Sequence, residues 1–514
     1  MNNLKRQIEI LDTTLREGEQ TDGVAFTAQE KLLISNFLLR DLAVDRIEVG
    51  SCRVSRGEFE AVSSISRSAG ELGLLDRVEV LGFVDGKVSV DWIRSAGAKV
   101  LNLLCKGSEK HCSGQLNKTS AQHIEDIKYV IDYAQKFGVD VNIYLEDWSG
   151  GMKSSPEYVL NMVNALKSCP VRRFMLTDTL GLLDPQSTYR YMQMMRENFP
   201  ELHFDFHAHN DYDLAVANSF SAVAGGVNGL HTTINGLGER AGNAPLASIQ
   251  AILCDHFGAV TSIDESRLYE ASRLVESYSG VPVPVNQPVV GEKVFTQVAG
   301  IHADGDSKGE LYCGNLKPER FGRRRSYALG KTSGRANIRK NLEELGIKLD
   351  EHTMELVTKR VIELGDKKEW VMPEDLPYIA ADVLKNGSDD DVVKLKGYVL
   401  NVALGLRPMA SISVEVRGET YEASSSGSGQ YDAFVKALRK IWQDKLGREF
   451  PTLDNYVVTI PPGGRTDALV QTVISWKWGS RTLRTCGLDA DQTEAAMKAT
   501  VKMLNIFEQD QDKQ

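Results

Sequence analysis

HFDFHAHND, residues 203–211, alternates apolar and polar residues and ends in two histidines, an asparagine and an aspartate. Alternation predicts a strand, and on a strand residues two apart face the same way. His207 and His209 therefore point side by side from its C-terminal end, an arrangement that suits a divalent cation. A strand with its chemistry at the C-terminal end is the working unit of a (β/α)8 barrel. The rest of the first half agrees. Strand-like runs are expected at residues 8–12, 46–51, 78–83, 100–104, 139–146, 173–178, 203–209 and 229–235, with helix-period stretches such as 28–41, 121–137, 156–167 and 185–198 between them. Eight βα units in about 260 residues match the size of that barrel. A doubly wound sheet is the alternative, but no GxGxxG follows the first strand.

The other strand ends carry polar groups too. Arg16-Glu17-Gly18-Glu19-Gln20 follows the first, Tyr144-Leu145-Glu146-Asp147 closes the fifth, and Thr177-Asp178-Thr179 closes the sixth. The eighth leads into Asn235-Gly236-Leu237-Gly238-Glu239-Arg240-Ala241-Gly242-Asn243. Barrel closure sets the first strand beside the eighth, which makes Glu17 the natural carboxylate to join the two histidines. Arg16 beside it is a fixed cation able to stabilise a developing oxyanion. Thr179 offers a hydroxyl for a substrate carboxylate.

At 514 residues the chain has room for about three domains. Residues 1–280 are expected to be the catalytic barrel and 281–390 a helical subdomain completing the site. The regulatory domain is expected at 391–514, after a linker at 385–393. Its pattern of three strands and a helix occurs twice, so the fold class is an α/β TIM barrel, a helical subdomain and a C-terminal α+β (βββα)2 domain. Its first strand is expected at 398–406. The composition, 42% hydrophobic and 25% charged, is that of a soluble globular protein. A net charge of −10 argues against nucleic acid as a partner. No stretch approaches the roughly 20 apolar residues of a membrane span. Seven scattered cysteines without a CxxC pair read as reduced thiols, so a cytoplasmic location is expected.

Together these residues resemble the family of 2-isopropylmalate, homocitrate and citramalate synthases. The resemblance rests on Leu15 to Gln20 with Lys31, on His207 to Asp211, and on the complete run from Asn235 to Asn243. It extends to Gly300-Ile301-His302-Ala303-Asp304-Gly305, to Leu329-Gly330-Lys331 and to the doubled C-terminal pattern. It implies that Glu17, His207, His209 and Asn243 ligate a divalent metal (Mn2+, Mg2+ or Zn2+), with acetyl-CoA as co-substrate and a 2-oxo acid as acceptor. It further implies that Arg16 polarises the ketone, Thr179 holds the carboxylate and Glu146 orients both substrates. His302 and Tyr312 would belong to the machinery that removes a methyl proton, with His302 reaching the barrel of the partner in a homodimer. Histidine suits that task because its pKa lies near neutrality. Two positions depart from the pattern: Glu17 where many members have Asp, and Asp213 where Gly is usual.

Homocitrate formation needs a cation for the distal carboxylate of 2-oxoglutarate, and Asn142 stands where the resemblance expects an arginine. Leu81, Leu104 and Tyr144 at the ends of the third, fourth and fifth strands leave a small apolar slot similar to that of the citramalate-forming members. Pyruvate is therefore the expected acceptor and 2-oxoisovalerate the alternative. Isoleucine is then the expected effector of the C-terminal domain, where Tyr431 and Asp432 open a helix after a Gly/Ser loop. The run Arg323-Arg324-Arg325 offers charge for CoA phosphates, with a solvated charge run as the plainer reading. An acyl-CoA lyase or aldolase on the same barrel is the rival class. A lyase of that kind carries a cysteine after the last strands, and none occurs between Cys169 and Cys254. An amino-acid-sensing protein on a retired barrel would have lost Arg16 or His302, and both are present.

Overall fold

The computed structural model describes residues 7–309, 311–366, 371–384, 392–459, 470–479, 481–489 and 491–511. The chain forms two compact units, one of residues 1–295 with 314–324 and the other of 296–313 with 325–514. The first is a closed parallel barrel in strand order one to eight. Its strands are β1 (Glu9–Asp12), β2 (Arg46–Glu48), β3 (Val78–Phe83), β4 (Val100–Lys106), β5 (Asp140–Glu146), β6 (Val171–Asp178), β7 (Phe204–Ala208) and β8 (Gly229–Thr232). Closure is carried by β1 against β8, with Leu11 opposite His231 and Asp12 opposite Thr232. Outer helices start where the sequence supplies caps. Thr27 with Glu30, and Thr119 with Gln122, form reciprocal capping boxes, which satisfy amides that the first turn leaves without partners.

The barrel interior is layered, and the layers position the site. Near the N-terminal ends of the strands, Arg46 donates to Glu79 (2.9 Å) and Asp205 (2.6 Å), while Arg173 pairs with Glu79 and Glu9. One step up, Glu48, Asn102 and Asn142 form a buried amide chain. Above that, Leu11, Tyr144 and Met175 make a small apolar plug with Leu81 and Leu104 packed on it. The plug is the floor of the cleft.

The second unit begins with short helices, Gly300–Ser307, Arg335–Glu344, Glu351–Asp366 and Leu376–Leu384, the later ones gathered on Ile338, Leu342, Val357 and Val361. The linker expected at 385–393 falls outside the described residues up to 391. Beyond it, two antiparallel three-stranded sheets each lead into a helix. They are Val393–Asn401, Met409–Val416 and Glu419–Ser426 before Gln430–Lys440, then Thr452–Thr459, Val470–Trp478 and Arg481–Asp489 before Gln492–Gln511. Both halves share one core, with Phe434 and Trp442 from the first and Trp476 and Phe507 from the second.

One expected strand is displaced. The alternation at 398–406 reads as a strand, yet the strand spans Val393–Asn401 and the chain turns over 403–405 with Gly405 at φ +80°. Leu404 and Leu406 are exposed there, so their hydrophobicity imitated a buried face. Among the described residues no helix is long and apolar enough to cross a membrane.

Candidate active site

Each expected barrel residue arrives at the C-terminal mouth from its own strand or the loop after it. β7 delivers His207 and, just beyond its end, His209, with Nε2 atoms 3.4 Å apart. The loop after β1 brings Glu17, whose Oε1 lies 3.8 Å from His207 Nε2. Oxygen and nitrogen atoms of Glu17, His207 and His209 all fall within 4.8 Å of one another, and all three residues are buried. Asn243 comes from the loop after β8, with its Nδ2 3.2 Å from His207 Nε2. That loop turns back on itself so tightly that only glycine fits. A Cβ on Gly242 would meet the Gly236 carbonyl at 2.0 Å, and one on Gly238 would meet Asn243 Oδ1 at 1.8 Å.

The donor set fits a divalent cation. Glu17 Oε2, His209 Nδ1 and Asn243 Oδ1 are buried without a hydrogen-bond partner, a costly state for polar atoms that have nothing else to bind. Burial, then the neighbouring His209 and His231, holds His207 well below the usual histidine pKa. Burial, then Arg240 and Arg16, pushes His209 down to about 4. Both rings are thus neutral, the form that ligates.

Arg16 is aimed across this cluster. Its guanidinium donates to Glu48 Oε2 (2.5 Å) and the Tyr144 hydroxyl (3.1 Å) and also pairs with Glu17. Burial opposes its charge, but Glu48 and Tyr144 together more than offset it and its pKa is raised. Tyr144 is held from three sides, because its hydroxyl also lies 3.4 Å from Glu48 and 3.0 Å from His231 Nδ1. Glu146 ends β5 and pairs with Lys106 at the end of β4. Thr179 Oγ1 accepts the Asp147 amide (2.8 Å) and contacts the Thr177 hydroxyl. Arg240 ties three loops together, gripping both Asp211 oxygens (2.7 and 2.9 Å) and the Thr179 carbonyl.

A cleft of about 1020 Å³ opens over these groups. Arg16, Glu17, Leu81, Leu104, Tyr144, Glu146, Thr179, His207 and His209 line it, with Val24–Ala28 and Gly50–Glu58 as further walls. Asn142 is not among the lining residues. It is fully buried one layer below, its amide on Asn102.

The barrel matches the HMGL-like family model over residues 7–275. Residues 289–369 match the homocitrate synthase post-HMGL domain-like model, and 370–508 the LeuA allosteric (dimerisation) domain. An (R)-citramalate synthase of Methanocaldococcus jannaschii is 33% identical over 505 residues, 97% of this chain and 99% of that protein. A 2-isopropylmalate synthase of the same organism is 32% identical over 509 residues, 98% and 95% of the two chains. The chain belongs to the 2-isopropylmalate/citramalate synthase family.

Within that family framework, Asp213 is instructive. It adopts φ +58°, a left-handed conformation that glycine takes freely and aspartate tolerates better than most residues. Its carboxylate also accepts from Asn210 at 3.2 Å. Of the residues outside the barrel, His302 and Tyr312 meet in the second unit with ring centroids 4.3 Å apart. Tyr431 donates or accepts at Thr500 Oγ1 (2.8 Å), and Asp432 accepts the Ser428 amide (2.7 Å) and Lys436 (2.8 Å). Tyr431 therefore packs toward the Gln492–Gln511 helix and the Tyr456 ring, while Asp432 holds the Gly/Ser loop. The reading of 323–325 as a solvated charge run is corrected. Arg323 lies over the Tyr269 ring and donates to the carbonyls of Gly291 and Glu292, and Arg325 pairs with Asp306. Only Arg324 is exposed. Sequence reasoning missed Glu48, Lys106 and His231. Each is an ionisable residue facing inward near the end of its strand, and the period-two rule puts Glu48 on the face of Arg46, Lys106 on that of Leu104 and His231 on that of Gly229, without saying which face is inward.

Proposed function

We propose that the chain condenses acetyl-CoA with pyruvate, giving (R)-citramalate and CoA. The alternative within the family is 2-oxoisovalerate as acceptor, giving 2-isopropylmalate. The observation that carries the reading is the pinned Tyr144. Its hydroxyl accepts from Arg16 and donates to His231, with Glu48 3.4 Å away, so its ring stays as a floor beneath Leu81 and Leu104. That floor leaves space for a methyl group and crowds a branched one. Arg16 is the sole lysine or arginine among the described lining residues and is committed to the ketone, so the distal carboxylate of 2-oxoglutarate would lack a cation, at a cost of several kcal/mol. The cleft volume exceeds what a three-carbon acid fills and leaves room for a thioester arm.

In this reading Glu17, His207, His209 and Asn243 hold a divalent metal, Mn2+, Mg2+ or Zn2+, which when bound supplies Lewis acidity toward the 2-oxo acid. Arg16 stabilises the oxygen charge that develops on the ketone, and the Thr179 hydroxyl binds the acceptor carboxylate. Glu146, paired with Lys106, orients the acetyl group. His302 of the partner subunit, with its Tyr312, takes the methyl proton; the methyl carbon then bonds to the ketone carbon as the ketone oxygen takes up a proton, and hydrolysis of the thioester by water releases CoA. We assign 1–280 to catalysis, 281–390 to completing the site, and 391–514 to regulation by an amino acid, isoleucine, sensed near Tyr431 and Asp432. The working form is a cytoplasmic homodimer.

The test compares kcat/KM for pyruvate, 2-oxobutyrate, 2-oxoisovalerate and 2-oxoglutarate, following CoA with a thiol reagent. Pyruvate should lead 2-oxoisovalerate by at least about tenfold, the scale of one to two methylenes in an apolar pocket. Preference for 2-oxoisovalerate would install the alternative, and no CoA release with any acid would remove the synthase reading.

A further inference from the structure

His231 has no part in the chemistry just assigned, yet it is fully buried at the centre of the polar groups below the cleft. Its Nε2 lies 3.3 Å from Asp205 Oδ2, and its Nδ1 lies 3.0 Å from the Tyr144 hydroxyl and 3.3 Å from His207 Nδ1. Asp205 is in turn ion-paired to Arg46 at 2.6 Å and bonded to His203 at 2.9 Å. The His231 ring stands edge to face against both Tyr144 (5.4 Å) and His207 (5.3 Å).

With His231 neutral, these contacts give the following proton assignment. A carboxylate paired with arginine only accepts, so His231 Nε2 carries the hydrogen and its Nδ1 carries the lone pair. The Tyr144 hydroxyl donates to that lone pair. His207 Nδ1 faces the same atom, and two bare nitrogens at 3.3 Å would repel, so His207 carries its hydrogen on Nδ1 and shares the one lone pair with the shorter Tyr144 bond. Its lone pair is then on Nε2, the atom that faces Glu17, His209 and Asn243. The Asn243 amide donating to His207 Nε2 requires the same tautomer independently.

We propose that His231 is a positioning residue for the active site, fixing His207 in the tautomer and ring plane that present Nε2 to the metal while anchoring Tyr144. Residues of this kind behind a ligating histidine are worth about ten- to a hundredfold in metal affinity. The inference rests on the reading that Glu17, His207 and His209 hold a cation. The role belongs to the acceptor atom, so an asparagine, whose Oδ1 can occupy the place of Nδ1, should restore what a leucine cannot.

The experiment titrates Mn2+ alone into the full-length wild type, Glu17→Gln, His231→Leu and His231→Asn by calorimetry, with thermal melts of each apo protein to establish folding. Expected is a roughly ten- to hundredfold loss of Mn2+ affinity in His231→Leu and recovery to within about threefold of wild type in His231→Asn. Folded His231→Leu with wild-type affinity, or folded His231→Asn as weak as His231→Leu, overturns the proposal while leaving the metal site standing. Wild type and Glu17→Gln binding Mn2+ alike would overturn the metal reading itself and the proposal with it. Should His231→Leu not fold, His231→Asn against wild type decides by the tautomer of His207, read from 15N shifts of labelled imidazoles. Retention of the Nδ1–H form supports the acceptor role, and its loss with unchanged Mn2+ affinity refutes it.

Discussion

Replacing Glu48 isolates the contribution of the buried charge that holds Arg16. Glu48 Oε2 takes the Arg16 Nε–H at 2.5 Å and Oε1 takes Asn102 Nδ2 at 2.7 Å, while Asn102 in turn takes Asn142 Nδ2 at 2.8 Å. Asn142 Oδ1 has no partner. In Glu48→Gln, the amides of residues 102 and 142 can therefore invert together, and every link keeps a hydrogen bond. What is lost is charge: a bond to a charged group contributes about 1.5–3 kcal/mol against about 0.5–1.5 for a neutral one, so the cost should be about 1–2 kcal/mol. Glu48→Leu instead leaves the Arg16 Nε–H and the Asn102 Nδ2 without their acceptor in a buried place and should cost about 3–5 kcal/mol. Arg16 would then lean toward Glu17, its remaining carboxylate partner, and leave its place over the ketone. Urea unfolding followed by tryptophan fluorescence measures the two stabilities. The kcat/KM for the favoured 2-oxo acid should fall about 5- to 30-fold in Glu48→Gln, the kinetic equivalent of the same 1–2 kcal/mol. The reasoning is refuted if the leucine variant is no less stable than the glutamine variant, or if Glu48→Gln turns over like the wild type.

Two further outcomes follow from local geometry. Gly238→Ala sets a methyl group 1.8 Å from Asn243 Oδ1, so Mn2+ affinity should drop at least about tenfold in a protein whose barrel still melts cooperatively; unchanged affinity would remove Asn243 from the ligand set. Burial pushes His123 down to about 4, and its Nε2 accepts the Lys106 amide at 3.0 Å, so protonation sets two donors against each other. The native state binds fewer protons than the unfolded state between about pH 6.5 and 4. Stability from this group is thus complete above 6.5 and lost as pH falls toward 4, on the order of 2–3 kcal/mol. His123→Gln, which keeps an acceptor and cannot titrate there, should flatten that acid limb in urea melts at pH 4, 5, 6 and 7, and an unaltered limb would assign it to other groups.

The legible part of the site was the part written in short range. His207 and His209 share a face because strand side chains alternate, and Glu17 could be named because closure brings β1 next to β8. The same rule located the apolar trio, since Leu81, Leu104 and Tyr144 each stand two residues before the end of consecutive strands. Glu48 and Lys106 escaped because a carboxylate or ammonium on a strand reads equally well as an outward, solvated group. Their roles depend on partners 32 and 40 residues away. The arginines at 323–325 misled for the same reason: a run of charge reads as solvated until the tertiary fold supplies carbonyls, an aromatic face and Asp306.

The sequence by itself determined the barrel and the doubled C-terminal pattern, because periodicity and motif spacing are local properties that the chain carries before it folds. It also determined the chemistry available at His207, His209, Glu17 and Arg16. Only the tertiary structure decided how those groups are held. The orientation of Arg16 by Glu48, the pinning of Tyr144 and the bond from His207 to His231 each join residues of different strands or loops, 32, 128 and 24 residues apart. Such contacts exist only once the barrel closes and excludes water, and a closed, dry interior is what forces each buried donor to find an acceptor.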